Sequence, residues 1–318
     1  MFVSYTKIHR LYHTFTYHSS YILGLVSPTT VKGCNLMVSS GFNKVISAQR
    51  KVIAERFKKI KHKIVIMSGK GGVGKSFIAA NLSVALAMLN RKVGIFDADF
   101  HGPDVPKILG VRGNVLRVGP KGIEPVVAKH GIKVLSLDFM LSSDETPIIW
   151  RGPLKATAIR QLLAEVNWGD LDYFIVDLPP GTGDEPLSVA HETPGLDGIV
   201  LVTIPSEVSL LDVKRAATFG KRLNIPILGV VENMSYYRCP ICGHIEYLFG
   251  KGGGETLAKK LGVELLGKIP VDTKINEAND KGQPYVELYP ESDGAREILK
   301  IAKKLISKLE AVDERTTS

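Results

Sequence analysis

The sequence predicts an α/β fold in which a mostly parallel β-sheet is covered by helices on both faces. Apolar runs with strand character alternate along the chain with segments of helical periodicity, which is the order that a parallel sheet requires. Polar, glycine-rich motifs follow the ends of several of these runs. Because such sheets bind ligands at the carboxyl ends of their strands, we expect the functional residues to meet at one edge of the sheet.

Each predicted element rests on a local pattern. Short apolar runs predict strands over 64–67, 92–97, 132–137, 173–177, 198–203, 227–232 and 264–269. Helical patterns cover 77–89, 153–166, 210–223, 256–261 and 296–309, with Pro153 at a favoured first-turn position. There is no internal repeat. The folded domain is therefore predicted over 62–311, preceded by a basic helical segment at 46–61 and followed by a tail at 312–318.

The positive charge of the chain is concentrated near its start. Of its 318 residues, 44% are hydrophobic and 23% are charged, as in an ordinary globular protein. The net charge of +9 arises in residues 1–63, which hold 11 Lys and Arg residues and a single acid, Glu55. The remaining residues hold 30 basic and 31 acidic side chains and are nearly neutral. We therefore expect no nucleic-acid partner.

Residues 1–45 contain no Asp or Glu and are rich in Ser, Thr, Tyr and His. Two interpretations remain open. An acid-poor, hydroxyl-rich leader is typical of a mitochondrial transit peptide, although Arg10 is the sole arginine before Arg50. Alternatively, this stretch is a disordered extension or a misassigned start, with Met37 as the true start. The first interpretation predicts the mitochondrial matrix, and the second predicts the cytoplasm.

The sequence predicts neither stable membrane insertion nor a disulfide framework. It has no uncharged apolar run of about 18 residues, the length that a membrane-spanning helix needs. Two of its three cysteines form a C-x-x-C pair, which suits a reducing compartment.

Residues 64–76 carry the strongest functional pattern. A strand-like run leads into a loop with the spacing G-x-x-x-x-G-K-[ST], and a helical pattern follows. Glycines let backbone N–H groups turn toward phosphate, the helix N-terminus adds a favourable dipole, and Lys75 neutralises charge. The hydroxyl of Ser76 is placed for Mg²⁺. The sequence therefore predicts a phosphate-binding loop, or P-loop, for a nucleoside triphosphate, formed by Gly69, Lys70, Gly71, Gly72, Val73, Gly74, Lys75, Ser76 and Phe77.

A second lysine, Lys70, directly follows the first glycine of this loop. The resulting K-G-G-x-G-K-[ST] pattern resembles the deviant Walker A superfamily of P-loop ATPases. That superfamily includes nitrogenase iron protein, the Min- and Par-type positioning ATPases and the Mrp-type (ApbC- and Nbp-like) iron–sulfur cluster carriers. The resemblance implies a homodimer in which Lys70 reaches the partner's nucleotide and acts in hydrolysis with Lys75. Phe77 stands where family members usually carry a small hydroxyl residue that touches the α-phosphate.

Two carboxylate motifs follow strand-like runs. Residues 97–103 have the form D-x-D-x-x-G-P. Resemblance to the family's switch I implies that Asp99 orients or activates the attacking water and that Asp97 supports Mg²⁺. Taken alone, the same residues also fit a capped turn. Residues 177–184 read D-L-P-P-G-T-G-D and resemble switch II of the Mrp-type carriers. A carboxylate that ends a buried strand beside a phosphate loop makes Asp177 the second magnesium group.

Asn233 ends a later strand-like run. In the family, an Asn at this place reads the adenine edge, and an amide suits that role because it can donate and accept hydrogen bonds at once. Asn is also common in strand-end turns. Both interpretations therefore stay open for this residue.

Cys239 and Cys242 follow in the pattern E-N-M-S-x-x-x-C-P-x-C-G, which resembles the Mrp-type carriers. Two thiolates do not complete a four-sulfur cluster site, and the other cysteine, Cys34, lies in the predicted leader. A second chain is therefore expected to supply the remaining ligands. A zinc knuckle that includes His244, a redox pair and two buried thiols stay open as alternatives.

The sequence and its resemblance together predict an ATP-binding, slowly ATP-hydrolysing homodimer. It would use Mg²⁺, hold a labile [4Fe–4S] cluster that bridges the two chains, and transfer it to apo iron–sulfur proteins. The alternative is a Min- or Par-type positioning ATPase that cycles on a membrane or nucleoid. The predicted last helix favours that alternative, because a basic amphipathic helix can bind anionic lipid.

Overall fold

A computed structural model of the chain describes residues 34–99, 102–140, 152–206 and 210–316. The strands are β1 (Ile60–Ser68), β2 (Val93–Asp97), β3 (Arg117–Gly119), β4 (Gly122–Glu124), β5 (Val126–Val127), β6 (Lys133–Ser136), β7 (Leu171–Asp177), β8 (Gly198–Thr203), β9 (Ile227–Glu232), β10 (Tyr237–Arg238), β11 (Ile245–Glu246) and β12 (Leu265–Lys268). The helices are α1 (Cys34–Phe57), α2 (Lys75–Met88), α3 (Val105–Ile108), α4 (Gly152–Glu165), α5 (Asp184–Glu192), α6 (Leu210–Leu223), α7 (Gly253–Leu261), α8 (Thr273–Lys281), α9 (Tyr285–Leu288) and α10 (Asp293–Thr316).

Eight of these strands form one sheet in the order β12-β9-β8-β1-β7-β2-β6-β5. All neighbours in it are parallel except β5, which runs antiparallel to β6 at the edge. The predicted α/β class with a mostly parallel sheet is confirmed. Because β1, β2, β7, β8 and β9 are parallel, the loops that follow them emerge at one edge of the sheet.

Successive residues of β1 pack into different layers of the protein. Ile64 and Ile66 join a core with α2 and α10, whereas Val65 and Met67 join a core with α1 and α4. All four side chains are fully buried. A central strand covered on both faces therefore appears in the sequence as an unbroken apolar run rather than an alternating one.

The predicted helical segment at 46–61 needs correction at both ends. The helix α1 begins at Cys34 and ends at Phe57, and β1 begins at Ile60. Ile53 and Phe57 are buried against the sheet, because residues four apart share one helix face. This segment is therefore part of the domain core rather than a prelude to it. Residues 1–33 of the predicted leader lie outside the described residues.

The last helix also differs from its prediction. Helix α10 begins at Asp293 and continues to Thr316, so most of the predicted tail at 312–318 is helical. Its apolar side chains Ile298, Ile301, Leu305 and Leu309 are buried in the core that α2 shares. The apolar face of α10, which favoured the prediction of lipid binding, thus packs against the rest of the domain.

Several short elements were not predicted from the sequence. They are the hairpin β3–β4, helix α5 after the second carboxylate motif, and helices α8 and α9. Helix α8 buries only Ala278 and is otherwise polar, so its sequence lacks a strong apolar period.

None of the helices in the described part of the chain is long and apolar enough to cross a membrane.

Candidate nucleotide site and cysteine knuckle

The phosphate loop lies between β1 and α2, as predicted. Gly72 and Gly74 adopt left-handed backbone with φ of 76° and 81°. A Cβ on Gly74 would lie 2.2 Å from the side-chain nitrogen of Asn233. Glycine at position 74 is therefore required twice, by its backbone conformation and by the close approach of a neighbouring strand end.

Lys75 is buried in this loop and bonded to a carboxylate from the adjacent strand. Its Nζ lies 2.6 Å from Oδ1 of Asp177 and 3.3 Å from the Ser76 hydroxyl. Asp177 is brought there by the parallel pairing of β1 and β7, in which it lies opposite Ile66. Burial raises the pKa of Asp177, and the positive charge of Lys75 partly offsets this effect.

The second oxygen of Asp177 is suited to a magnesium ion. Oδ2 is buried and has no hydrogen-bond partner among the described residues. The Ser76 hydroxyl lies close by, since both groups contact the Lys75 ammonium. Carboxylate and hydroxyl oxygens are the donors that Mg²⁺ prefers, so these residues fit the ion.

Asp97 ends β2 directly beside Asp177, its register partner in β7. Both of its oxygens accept hydrogen bonds from protein groups: Oδ1 from the backbone N–H of Asp99, and Oδ2 from the backbone N–H of Val105 and the hydroxyl of Ser136. Burial, followed by the charge of Asp177, raises the pKa of Asp97 well above its usual range. Asp97 thus anchors the turn that carries Asp99, whose side chain is also buried.

The side chain of Phe77 does not face the phosphate loop. It is buried in the core, with its ring centroid 5.8 Å from that of Tyr285. Of this residue, the backbone N–H at the start of α2 is the group available to a phosphate. Phe77 stands where family members usually have a small hydroxyl residue, and its larger side chain packs into the core rather than into the nucleotide site.

Lys70 lies exposed at the rim of the loop. Its Nζ lies 3.3 Å from the hydroxyl of Ser206, in the segment after β8, and its carbonyl accepts a hydrogen bond from the Ser68 hydroxyl at 2.9 Å. A role for Ser206 could not be predicted from the sequence, because a lone serine after a strand carries no pattern. The contact places the early lysine over the neighbouring strand end.

Asn233 contacts the phosphate loop from the end of β9. Its Nδ2 donates to the carbonyl of Val73 at 2.9 Å, while its Oδ1 is buried and unpartnered among the described residues. The sequence led us to expect that this amide both donates to and accepts from adenine, but only one of these two roles remains available. The donor is used by the loop, and the oxygen is the group left to accept from an exocyclic amine.

Cys239 and Cys242 lie in a small knuckle closed by the hairpin β10–β11. The N–H of Cys239 donates to the His244 carbonyl at 2.8 Å, and the N–H of Gly243 donates to the Cys239 carbonyl at 2.9 Å. Gly243 has a φ of 73°, so the tight turn needs its glycine. Cys239 is half-buried and Cys242 is exposed.

The knuckle favours a thiolate but does not complete a metal site by itself. Backbone N–H groups of Cys242 and Ile241 lower the pKa of Cys239. In the described part of the chain, no three His, Cys, Asp or Glu residues are grouped to hold a metal ion. The alternative of a zinc knuckle completed by His244 therefore lacks its three-ligand geometry. Neither cysteine is fully buried, which also removes the alternative of two buried thiols.

The knuckle also exposes several large apolar side chains to solvent. Ile241, between the cysteines, is 94% exposed. Four further large hydrophobic residues nearby are at least one-third exposed: Ile245, Tyr247, Leu248 and Phe249. Exposed large apolar side chains grouped on one short segment are typical of an interaction site.

Comparison with known proteins places this geometry in a family. A family model named ParA and described as NUBPL iron-transfer P-loop NTPase matches residues 59–306. The chain belongs to this family. The match covers the phosphate loop, both carboxylate motifs and the cysteine knuckle, so the resemblance that these motifs predicted is confirmed.

Its sequence relatives include iron-sulfur cluster carrier proteins of two archaea. The protein of Saccharolobus solfataricus is 53% identical over 269 residues, which cover 85% of this chain and 91% of the relative. The protein of Methanocaldococcus jannaschii is 51% identical over 271 residues, covering 85% of this chain and 93% of the relative.

Two solved structures with this fold were determined with ADP bound. A nucleotide-binding protein from Archaeoglobus fulgidus in complex with ADP, with Co, is 40% identical and has a TM-score of 0.67, covering 77% of this chain and 98% of that one. The septum site-determining protein MinD of Pyrococcus horikoshii, complexed with Mg-ADP, is 25% identical with a TM-score of 0.56, covering 77% of this chain and 95% of that one.

Proposed function

We propose that this P-loop NTPase hydrolyses ATP and carries a labile iron–sulfur cluster, which it transfers to apo iron–sulfur proteins. The observation that carries the proposal is the combination of two features on one chain. A phosphate loop with its carboxylates lies at one edge of the sheet, and an exposed two-cysteine knuckle follows β9, two strands away from β1. The sequence relatives named as cluster carriers support the same assignment.

The residues of the nucleotide site divide the work of hydrolysis. Lys75, held ready by Asp177, turns its ammonium to the outer phosphates of ATP. The Asp177 carboxylate and the Ser76 hydroxyl would hold Mg²⁺, and the bound ion would neutralise charge on the phosphates. Asp99 orients the attacking water, and Asp97 fixes the turn from which Asp99 projects. The exposed position of Lys70 suits contact with the nucleotide of a partner chain.

The cluster would be held between two copies of the chain. Each knuckle offers two thiols, and an iron–sulfur cluster commonly takes four thiolates, so two knuckles complete a [4Fe–4S] site. The exposed apolar residues around the cysteines would be buried when two knuckles meet, which shields the cluster from water. The lowered pKa of Cys239 favours the thiolate form that binds iron.

The exposed position of the knuckle also suits release of the cluster to a recipient protein. Its cysteines lie on a small, solvent-exposed hairpin rather than in the core, so a recipient's thiolates can approach the iron. Slow hydrolysis of ATP would time this exchange by changing how the two chains meet. The bacterial and archaeal relatives favour action in the cytoplasm.

The positioning-ATPase alternative loses its structural support. It relied on a free amphipathic face of the last helix, and that face is buried in the domain core. A positioning ATPase also has no use for the cysteine knuckle.

Cluster transfer to an apo-ferredoxin tests the proposal. Protein reconstituted with iron and sulfide without oxygen should convert the apo-ferredoxin to its coloured holo form, faster than free iron and sulfide at the same concentrations. Cys242→Ala should abolish the transfer while ATP binding is kept. Transfer that is no faster than with free iron and sulfide, or that persists in Cys242→Ala, would contradict the proposed function.

A further inference from the structure

Glu232 is a buried carboxylate that the nucleotide chemistry does not use. It is the last residue of β9 and is 1% exposed. Oε1 accepts a hydrogen bond from the Ser235 hydroxyl at 2.5 Å, and Oε2 accepts one from the backbone N–H of Gly254 at 2.5 Å. A Cβ on Gly254 would lie 2.7 Å from the Cβ of Glu232, so the glycine lets the backbone reach the carboxylate.

The two partners of Glu232 lie at the two ends of the cysteine knuckle. Ser235 is where the chain leaves the sheet toward β10, and Gly254 is where it returns to begin α7. One carboxylate therefore contacts both ends of the segment that carries Cys239 and Cys242. We call these ends, Ser235 and Gly254, the two roots of the knuckle. A buried group that joins two chain segments in this way restricts how the segment between them can move.

Residues close to the same two roots connect them to the phosphate loop. Asn233, the residue after Glu232, donates to the Val73 carbonyl inside the loop. On the return side, a Cβ on Gly253 would lie 2.6 Å from the carbonyl oxygen of Ser206, whose hydroxyl contacts Lys70. Ser235 is thus two residues from Asn233, which contacts the loop directly. Gly254 is next to Gly253, which packs on the segment whose Ser206 hydroxyl contacts Lys70.

We infer that Glu232 is a positioning residue that couples the phosphate loop to the cysteine knuckle. The phosphates of the nucleotide that Lys70 contacts attract its ammonium more strongly than the neutral Ser206 hydroxyl does. Phosphates bound at the loop also shift the Val73 backbone, to which Asn233 is hydrogen-bonded. Because Glu232 holds both roots together, these displacements reach the two thiols as one movement. The inference deepens the proposed function and rests on it for its purpose, which is nucleotide-controlled capture or release of the cluster.

The coupling is measurable without any cluster. The full chain is reacted with a chromogenic aromatic disulfide, and the rate at which Cys239 and Cys242 are modified is compared with and without Mg²⁺ and a non-hydrolysable ATP analogue. In the unaltered protein we expect the nucleotide to change this rate about fivefold or more, the range of ordinary coupling between sites. Glu232→Gln cannot accept both hydrogen bonds and should reduce the ratio to below about twofold.

Two further variants separate positioning from folding. Ser235→Ala removes one root contact and leaves the carboxylate, so it should also lower the nucleotide ratio while melting close to the unaltered protein. Glu246→Gln makes the same chemical change at an exposed site on the knuckle itself and should keep the full ratio. Analogue affinity should stay within about twofold in all three variants, because none of them binds phosphate.

The ratio of the thiol modification rates with and without nucleotide tests whether Glu232 couples the two sites. A nucleotide effect that is absent from the unaltered protein, or that is fully retained in Glu232→Gln and Ser235→Ala, would overturn it. Should Glu232→Gln fail to fold, Ser235→Ala alone decides between these results. Failure of cluster transfer with an intact nucleotide ratio would overturn the proposed function and leave the coupling in place.

Discussion

The ammonium of Lys75 lies 2.6 Å from the carboxylate of Asp177, although the two residues are 102 positions apart in the chain. Both side chains are buried, and the parallel pairing of β1 with β7 brings them together. The pair holds the lysine side chain in a fixed orientation inside the loop. Incoming phosphate therefore exchanges one anion for another at this ammonium, rather than binding a lysine that must first be ordered and desolvated.

Lys75 and Asp99 should fail in different ways when replaced. Lys75→Ala removes the charge that matches the phosphates, so ATP affinity should fall by about 10- to 100-fold, the value of a charged hydrogen bond. Asp99→Ala should keep ATP affinity and lower kcat by about 100-fold or more, because only water positioning is lost. Calorimetric ATP titration and a phosphate-release assay measure the two effects. Equal loss of affinity in both variants would contradict the assignment of Asp99.

Gly74→Ala should damage both folding and nucleotide binding. The left-handed backbone at this position costs an alanine about 1–3 kcal/mol, and its Cβ also meets Asn233. The double variant Gly74→Ala with Asn233→Ala removes the second effect and should recover part of the stability. Thermal denaturation of the single and double variants tests this. Two single changes whose effects simply add would show that the close contact is unimportant.

Glu192 should make stability depend on acid pH. It is buried and accepts hydrogen bonds from Arg160 and from Arg50 of α1. Burial raises the pKa of Glu192, but the bonds from the two arginines outweigh it, so the net pKa is lowered. Its stabilisation is therefore present above the usual glutamate range and is lost as pH falls through the lowered pKa.

Glu192→Gln should accordingly lower the free energy of unfolding at neutral pH by about 3 kcal/mol, because two arginines lose their charged partner. The difference from the unaltered protein should shrink as the pH is lowered. The matched control is Glu291→Gln, at a side chain that is 88% exposed, and it should change little at any pH. A Glu192→Gln deficit that is the same from pH 3 to pH 7 would show that charge plays no part.

The start of the chain should be dispensable up to α1 but not through it. A chain that begins at Met37 keeps Ile53 and Phe57, the buried residues that hold α1 on the sheet. It should fold and hydrolyse ATP like the full chain. A chain that begins at Ile60 loses both and should be destabilised by several kcal/mol, about 3–5 for each large core side chain. An insoluble chain from Met37 would mean that the first residues are structural.

The sequence revealed the elements whose residues carry local patterns. The phosphate loop, the two carboxylate motifs and the central strands were predicted because each combines a short motif with an apolar run on one segment. Helix α1 was predicted to start too late, since its first part has neither caps nor a clear apolar period. Its true role depends on Ile53 and Phe57 meeting a sheet that the local sequence does not show.

The remaining site contacts join residues that are far apart in the chain. Ser206 meets Lys70 because β1 and β8 end side by side, and Glu232 meets Gly254 because α7 begins where β9 ends. Phe77 shows that a local motif can also predict a contact that packing prevents. Its position in the motif predicted a nucleotide contact, whereas the packing of α2 against α9 turns its ring into the core.

The most direct test of the account is the native mass and metal content of protein reconstituted with iron and sulfide without oxygen. We expect a dimer that holds about four iron atoms and four sulfides, bridged by four cysteines. Cys239→Ala should yield apo-protein that still binds ATP. A monomer with one zinc ion per chain and no acid-labile sulfide would contradict the account and leave the cysteine knuckle a structural element.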